Sequence, residues 1–580
     1  MPKRALGEKD DEKLKRALNV RGASERAVGE IWNIIQPEEK QISRGSLLRA
    51  QDENLSQWRA AMTDVAFKTE DGSEQTLPIV DLKICLDIFC SKSDAFRHVL
   101  TQALETNGRL TPLLFCDEAT AGNILSVDKL KKSCLFYMSW MEAWTYLKNP
   151  LMWLPIASVQ SSCLQSLVGG TSAVMLEILK RLVSKKFENG VTLECGIQFK
   201  QSCKAYFLAD YEAIRAVFST KGSAGLRPCI LCRNLLKARS GLVEHDSYFV
   251  ELSASSGFKL SSDNEVFEVC DCMKTCRTKA ELDRMEKTSG ISYDAAALLF
   301  SEEERAKMPP SRIIHDFLHT YLANGVASWE IVLFISELET RTRVTLETLQ
   351  RVALQAGWKG TKSSGKTEGY LRNLFNRRMF GEDVYKGQGH QTAALLPILR
   401  YYVETIIEPS NQMPLGYIRS FRAVCLIVSF VRDILHGVHK VESRDMQHLD
   451  KLQRMHQEYY KVYEVEYKPK HHHRFHIPSQ WFQCKVPVSC EALEDKHRVY
   501  KSGIGSHMCS TVREFKAFSS GVLARLLQTC LTQLQANGMP FWELLPPIKE
   551  APFDDKIYFA RMELKTSKSN LTEMFVFGCM

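Results

Sequence analysis

Two aspartates each close an apolar run: TPLLFCDEATAGN (111–123) delivers Asp117, and SCKAYFLAD (202–210) ends on Asp210. A carboxylate at the end of a buried strand must be solvated, paired or bound to a cation, because burying it alone costs more than the strand gains. Two such carboxylates at neighbouring strand ends can hold divalent ions about 4 Å apart, one activating an attacking oxygen and the other stabilising the leaving oxygen. That is chemistry for cutting or joining phosphodiesters. For either aspartate alone, a solvent-facing strand end is the plainer account, so the metal reading rests on their joint placement. A second chemical signal is RPCILC, whose Cys229 and Cys232 are spaced to bind one Zn²⁺. Two further ligands are needed, and His245, Cys270, Cys272 and Cys276 are at hand; a pair of reduced, partly buried thiols is the competing reading. In IIHDFLHTYLANG, Asp316 and His319 stand three apart, so that on one helix face the aspartate can hold a ring nitrogen of the histidine.

These residues need a scaffold. Lys132–Trp144 and Leu151–Val159 read as two more strands, rich in aromatic and β-branched residues and separated by Lys148-Asn149-Pro150. A Gly169-Gly170-Thr171 break then opens a periodic helix over Ser172–Lys186. The order is three strands, a helix and a further strand, with acids closing the first and last. It matches a ribonuclease-H-like core, in which the first and fourth strands lie side by side. Glu330–Leu338, Leu346–Ala356, Thr392–Ile407 and Tyr417–His436 read as helices, too many to belong to the sheet. The expected fold class is therefore α/β, a ribonuclease-H-like mixed sheet interrupted by a large, mainly helical insertion. The chain divides into a charged helical arm (1–55), a helical lead-in (56–109), the first part of the core (110–220), the insertion with the CxxC segment (221–480), and C-terminal core helices with a tail (481–580).

The segment GTKSSGKTEG fits a phosphate-binding loop pattern through Gly360, Gly365, Lys366 and Thr367, but such a loop needs a strand before it, and the preceding residues read as helix. Contacts from Lys362, Lys366, Arg372, Arg377 and Arg378 to DNA phosphate compete with a solvated basic loop. A net charge of +8 permits a polyanionic partner without demanding one. Eighteen cysteines without a signal peptide point to a reducing, intracellular setting, and no apolar run is long enough to span a bilayer.

Around these residues the chain resembles CACTA-like cut-and-paste transposases, Plavaka-type members included, and is similar to transposon-derived proteins of dinoflagellates. The resemblance lies in CDEATAGNILSVDKLKKSCLFYMSW, LADYEAIRAVFSTKGSAGLRPCILC, the D-x-x-H of Asp316 and His319, and CEALEDKHRVY, in islands between Leu110 and Leu527. It implies a DDE-type transposase working on DNA in the nucleus with two Mg²⁺ or Mn²⁺ ions, and it allows a homo-oligomer. Asp117 and Asp210 would be the first two acids and Glu494 the third, although Asp495 follows Glu494 where relatives usually place Arg; Glu330 and Glu337 are rivals. It favours His245 as a zinc ligand, with Cys270 or Cys272 supplying a cysteine that relatives carry near Ser253. For His471, His472, His473 and His476 it implies packing and backbone contacts ahead of metal binding. The alternative is a domesticated, catalytically inactive DNA-binding or interaction protein.

Overall fold

The computed structural model describes residues 55–120, 132–237, 248–355, 367–501 and 514–537. The lead-in is not helical throughout. Strands β1 (Met62–Lys68) and β2 (Glu74–Val80) form an antiparallel hairpin, running from Met62 opposite Val80 to Lys68 opposite Glu74. Along β1, Val65 and Phe67 are buried while Asp64, Ala66 and Lys68 are exposed, and that two-residue period belongs to a strand. The turn has its own chemistry: the Asp71 carboxylate accepts from Thr69 Oγ1 (2.5 Å) and Ser73 N (3.0 Å), and Gly72 takes φ +84°. The expected helices follow as α1 (Leu82–Lys92) and α2 (Asp94–Asn107). Asp81 caps the first by accepting from Ile84 N (3.1 Å), and Ser93 caps the second by accepting from Phe96 N (3.2 Å).

A mixed five-stranded sheet follows. Its members are β3 (Pro112–Thr120), β4 (Lys132–Trp140), β5 (Leu154–Gln160), then, after helix α3 (Gly170–Leu182), β6 (Tyr206–Ala209), and finally β7 (Ile313–His315). Between the last two lie α4 (Tyr211–Val217) and α5 (Asp263–Lys274). Across the sheet the order is β7-β6-β3-β4-β5. Strand β4 is antiparallel to β3 and β5, whereas β6 and β7 run parallel to β3. Leu113, Leu114, Phe115, Leu135, Phe136, Tyr137 and Met138 are all buried, the continuous apolar signature of strands covered on both faces. Strand β7 falls inside the stretch 221–480, which the sequence pattern sets apart from the sheet. Three residues, Ile-Ile-His, are too few to show a period.

After β7 the chain is mostly helical: α6 (Val326–Thr342), α7 (Leu346–Gln355), α8 (Thr367–Leu374), α9 (Gly389–Tyr402), α10 (Leu415–Leu435), α11 (Ser443–Tyr460), α12 (Pro469–His473), α13 (Ile477–Cys484), α14 (Glu491–Val499) and α15 (Phe515–Asn537). Phe334 of α6 stacks on Phe421 of α10 at 4.2 Å between ring centroids. Helix α15 lies against β5 and β2, and its Gln528 accepts from Trp58 Nε1 at 2.8 Å, so a late helix closes over the start of the described chain. No described helix is long and apolar enough to cross a membrane.

Leu114 sits mid-strand in β3 with no exposed surface, so Leu114→Ala leaves a cavity at the centre of the sheet. It is expected to cost about 2–5 kcal/mol, read as a lowered urea midpoint for the unfolding unit that contains the sheet.

Candidate metal-binding site

The site begins with strand register. Strand β3 pairs with β6 from Leu113 opposite Tyr206 to Phe115 opposite Leu208; two residues further along each strand (115 + 2 and 208 + 2) stand Asp117 and Asp210. Strand β6 pairs with β7 through Ala209 opposite His315, so one residue further Asp210 stands beside Asp316, whose N–H donates to Ala209 O at 3.0 Å. Three aspartates therefore share one end of three adjacent parallel strands. A π-helical turn, Leu318–Leu322, then carries His319. Gly325 lets the chain fold tightly behind it, since a Cβ there would lie 2.4 Å from Thr320 O. Helix α14 arrives from far along the chain with Glu494 in its first turn and His497 one turn later.

Ligand atoms of Asp117, His319 and Glu494 lie within 4.8 Å of one another. His319 Nε2 is 3.6 Å from Glu494 Oε1, and its Nδ1 is 2.8 Å from Asp316 Oδ2. His497, buried against Phe115 and Tyr137, places Nδ1 3.5 Å from Asp117 Oδ2. Asp210 stands outside the group of three: its Oδ1 accepts from Ala213 N at 2.7 Å and caps α4. Burial first, and then the nearby charge of Asp210, pushes the Asp117 carboxyl up to about 7, partly offset by His319. For His319, burial opposes the charged form, but the hydrogen bond to Asp316 and the fields of Asp210 and Asp117 prevail and raise it to about 9. At neutral pH the site therefore holds an imidazolium among crowded carboxylates. Crowded acids that repel one another are what a divalent cation relieves.

An open pocket of about 400 Å³ adjoins the acids. Asp210 and His319 form part of its wall, with Lys237, Trp329, Tyr467, Lys468 and Lys470. Lys468 Nζ lies 4.8 Å above the Trp329 ring, and Lys470 Nζ donates to Asn324 O at 2.8 Å.

A second group gathers around the CxxC pair. Its members are Cys229, Cys232, His472 and His476, all buried. Cys229 Sγ is 3.3 Å from His476 Nε2, Cys232 Sγ is 3.3 Å from His472 Nε2, and the two Nε2 atoms are 3.0 Å apart. Tetrahedral zinc with ordinary Zn–S and Zn–N bonds gives ligand edges of about 3.4–3.8 Å, a few tenths beyond these distances. Burial pushes His472 down to about 4, which keeps its imidazole neutral. Of the two thiols, Cys229 is held low against its burial by hydrogen bonds from Cys232 and His472, while Cys232 is pushed up by its hydrogen bond to Cys229 and by burial. The neutral imidazole and the low Cys229 thiol suit metal ligands.

This corrects the expected partners. Cys270 is not in the group: it is buried in α5, where burial pushes its thiol up to about 12. His245 lies outside the described residues. The histidines set aside as packing residues divide, since His472 and His476 face the cysteines whereas His471 Nδ1 accepts from Lys468 N at 3.1 Å. An i, i+4 pair on one helical face was the available signal, and it lay 240 residues from Cys232.

The rival acids are elsewhere. Glu330 is buried between His456 (3.1 Å) and Tyr463 (3.0 Å), and Glu337 pairs with Arg341 (2.7 Å). Arg377 is engaged by Glu339 at 3.0 Å, and Arg378 N donates to Asn376 Oδ1 at 3.0 Å, while Arg372 lies in α8. Lys362 and Lys366 lie outside the described residues, as does most of the Gly360–Thr367 loop. The described element before that loop is helix α7, so the strand that a phosphate-binding loop requires is not what leads into it. His497 and Cys490, which bracket Glu494, carried no signal beyond their spacing. Comparison with known proteins adds no family: no family model matches the chain, and no curated relative matches it.

A carboxyl raised in the folded state weakens the fold as pH climbs from its unfolded value near 4 through about 7, since the folded chain must then carry a charge it disfavours. Asp117→Asn is therefore expected to raise Tm by about 2–4 °C at pH 8 without divalent ions, a gain that shrinks as pH falls below 7. Thermal unfolding in chelator at pH 8 and at pH 5 checks this.

Proposed function

We propose that the chain is a metal-dependent phosphodiester-transfer protein with a ribonuclease-H-like core, and more narrowly a transposase-like enzyme acting on DNA. The observation that carries the reading is the convergence of Asp117, Glu494 and His319, with Asp210 at the next strand end, on a sheet of order β7-β6-β3-β4-β5. Glu494 reaches this place across 284 residues (494 − 210), and the helices from α6 to α13 account for much of that gap as an insertion.

Asp117, Asp210 and Glu494 would hold two Mg²⁺ or Mn²⁺ ions, which supply charge stabilisation for the attacking and leaving oxygens of an in-line displacement. The protein's own part is positioning and electrostatics. His319, held through Nδ1 by Asp316, presents Nε2 toward the acids, where it would donate to a non-bridging phosphate oxygen. Lys237, Lys468 and Lys470 line the adjoining pocket and bring positive charge to a nucleic-acid backbone. Cys229, Cys232, His472 and His476 would hold one structural Zn²⁺ joining the segment after α4 to α12 and the short turn that follows it. Nuclear residence and self-association belong to the same reading.

One observation favours a second reading, a retained fold without chemistry. Asp210 turns one oxygen to capping α4 and stands outside the group that Asp117, His319 and Glu494 form. Cleavage of linear DNA with Mn²⁺ separates the two. Asp117→Asn, Asp210→Asn and Glu494→Gln are each expected to lower the rate by about a thousandfold or more while leaving salt-dependent DNA binding in place. A chain that binds DNA but cuts none, with or without these changes, would establish the second reading instead.

For the Cys/His group, elemental analysis of protein purified without chelator is expected to find one zinc per chain. His472→Ala should lose it and unfold at lower temperature; metal-free protein of unchanged stability would remove the zinc assignment.

A further inference from the structure

A closed circuit of contacts runs through Asp316. Its N–H is held by Ala209 at the end of β6, next to Asp210. Its Oδ2 accepts from His319 N at 2.7 Å and lies 2.8 Å from His319 Nδ1. On the other side, Oδ1 accepts from Cys490 N at 2.9 Å and the Cys490 thiol donates to Oδ2 at 3.0 Å. Cys490 is the residue that opens α14, and its carbonyl accepts the Glu494 N–H at 3.0 Å. Glu494 Oε1 completes the circuit 3.6 Å from His319 Nε2.

We propose that Asp316 is the positioning residue for the third acid: its buried carboxylate fastens the first turn of α14 to the ends of β6 and β7, and so sets where Glu494 stands relative to Asp117 and Asp210. Asp316 and Cys490 are both fully buried, although they are 174 residues apart. A buried carboxylate is tolerable only when donors surround it, and here two backbone N–H groups, a ring nitrogen and a thiol do so. The residue at a helix start ordinarily turns its side chain onto its own helix's free N–H groups. Cys490 makes no such bond and points its thiol at Asp316. Helix α14 has nine residues, too few to hold together alone, and Glu494 sits in the turn where fraying would begin. Asp316, His319 and Cys490 are also close enough to be taken for ion ligands. The His319 N–H already donates to the same Oδ2 at 2.7 Å, and the ring nitrogen and thiol stand at hydrogen-bond distances of 2.8 and 3.0 Å from it, shorter than the edges of an ion's ligand shell, which favours the hydrogen-bonded arrangement.

The consequence for ion binding rests on the metal reading of the acids; the clamp itself does not. Hydrogen exchange by mass spectrometry on the full chain tests the clamp directly. Asp316→Ala is expected to speed exchange over 490–494 by about tenfold or more, with α6 and α10 unchanged, while Cys490→Ser, which keeps a donor, stays near the unaltered chain. Asp316→Asn, which retains one acceptor oxygen and the side-chain volume, should fall between them and guards against misfolding of the alanine variant. Unchanged exchange in both Asp316 variants would overturn the proposal. Mn²⁺ titration followed by electron paramagnetic resonance then reads the consequence: an affinity about tenfold weaker in Asp316→Asn, with Cys490→Ser unaffected, is expected. Equal affinity in Asp316→Asn and the unaltered chain would mean that Glu494 is set by something else. No Mn²⁺ uptake by the unaltered chain would sink the metal reading alone, and the exchange rates would still decide the clamp. Loss of a co-purified metal ion on Cys490→Ser would overturn the hydrogen-bonded arrangement in favour of an ion.

Discussion

The arrangement depends on the register of three parallel strands. Because successive strand residues face opposite ways, a slip of one position in β6 or β7 would turn Asp210 or Asp316 away from Asp117. Neither strand is long enough to secure its own register, having four and three residues. What secures them is β3, nine residues paired along its whole length with β4, together with the burial of Phe207, Leu208, Ala209, Ile313 and Ile314. The long strand acts as a ruler and the short ones are read against it.

A second set of constraints works across the helices. Arg474 is fully buried and donates to His456 Nδ1 (2.6 Å), to Gln457 Oε1 and to His471 O (3.0 Å), while His456 meets Glu330. Burial raises Glu330 to about 7 and depresses His456, so one guanidinium is the principal charge at the junction of α6, α11 and the segment after α12. Replacing any one member would leave the others buried without their partners, which makes such a junction specific in shape. It also links the two candidate metal groups. Arg474 lies between His472 and His476, and Lys470, two residues before His472, lines the pocket beside Asp210.

Much of the central sheet was legible because its strands are long, apolar and bounded by turn residues: Pro112–Thr120, Lys132–Trp140 and Leu154–Gln160 fall within or close to the stretches that pattern alone marks. Asp117 beside Asp210 followed from element order, and Glu494 came from resemblance rather than pattern. What stayed hidden was either too short or too distant. Strand β7 has no period to detect, and the β1–β2 hairpin was passed over although Asp71-Gly72 marks its turn. His472 and His476 could not be joined to Cys229 and Cys232, since side chains 240 residues apart meet only through the intervening helices.

The cover that α15 provides has a temporal side. Strand β5 ends at Gln160 and α15 begins at Phe515, so 355 residues (515 − 160) separate an apolar strand from the helix that lies on it. At about 5–20 residues per second, a ribosome needs roughly 20–70 s to make that stretch. Through that interval β5 has β4 and β2 beside it but lacks the helix that covers it in the folded chain. A nascent chain thus carries apolar strand surface that only its late helix covers, which is the kind of surface that makes incomplete chains prone to aggregate.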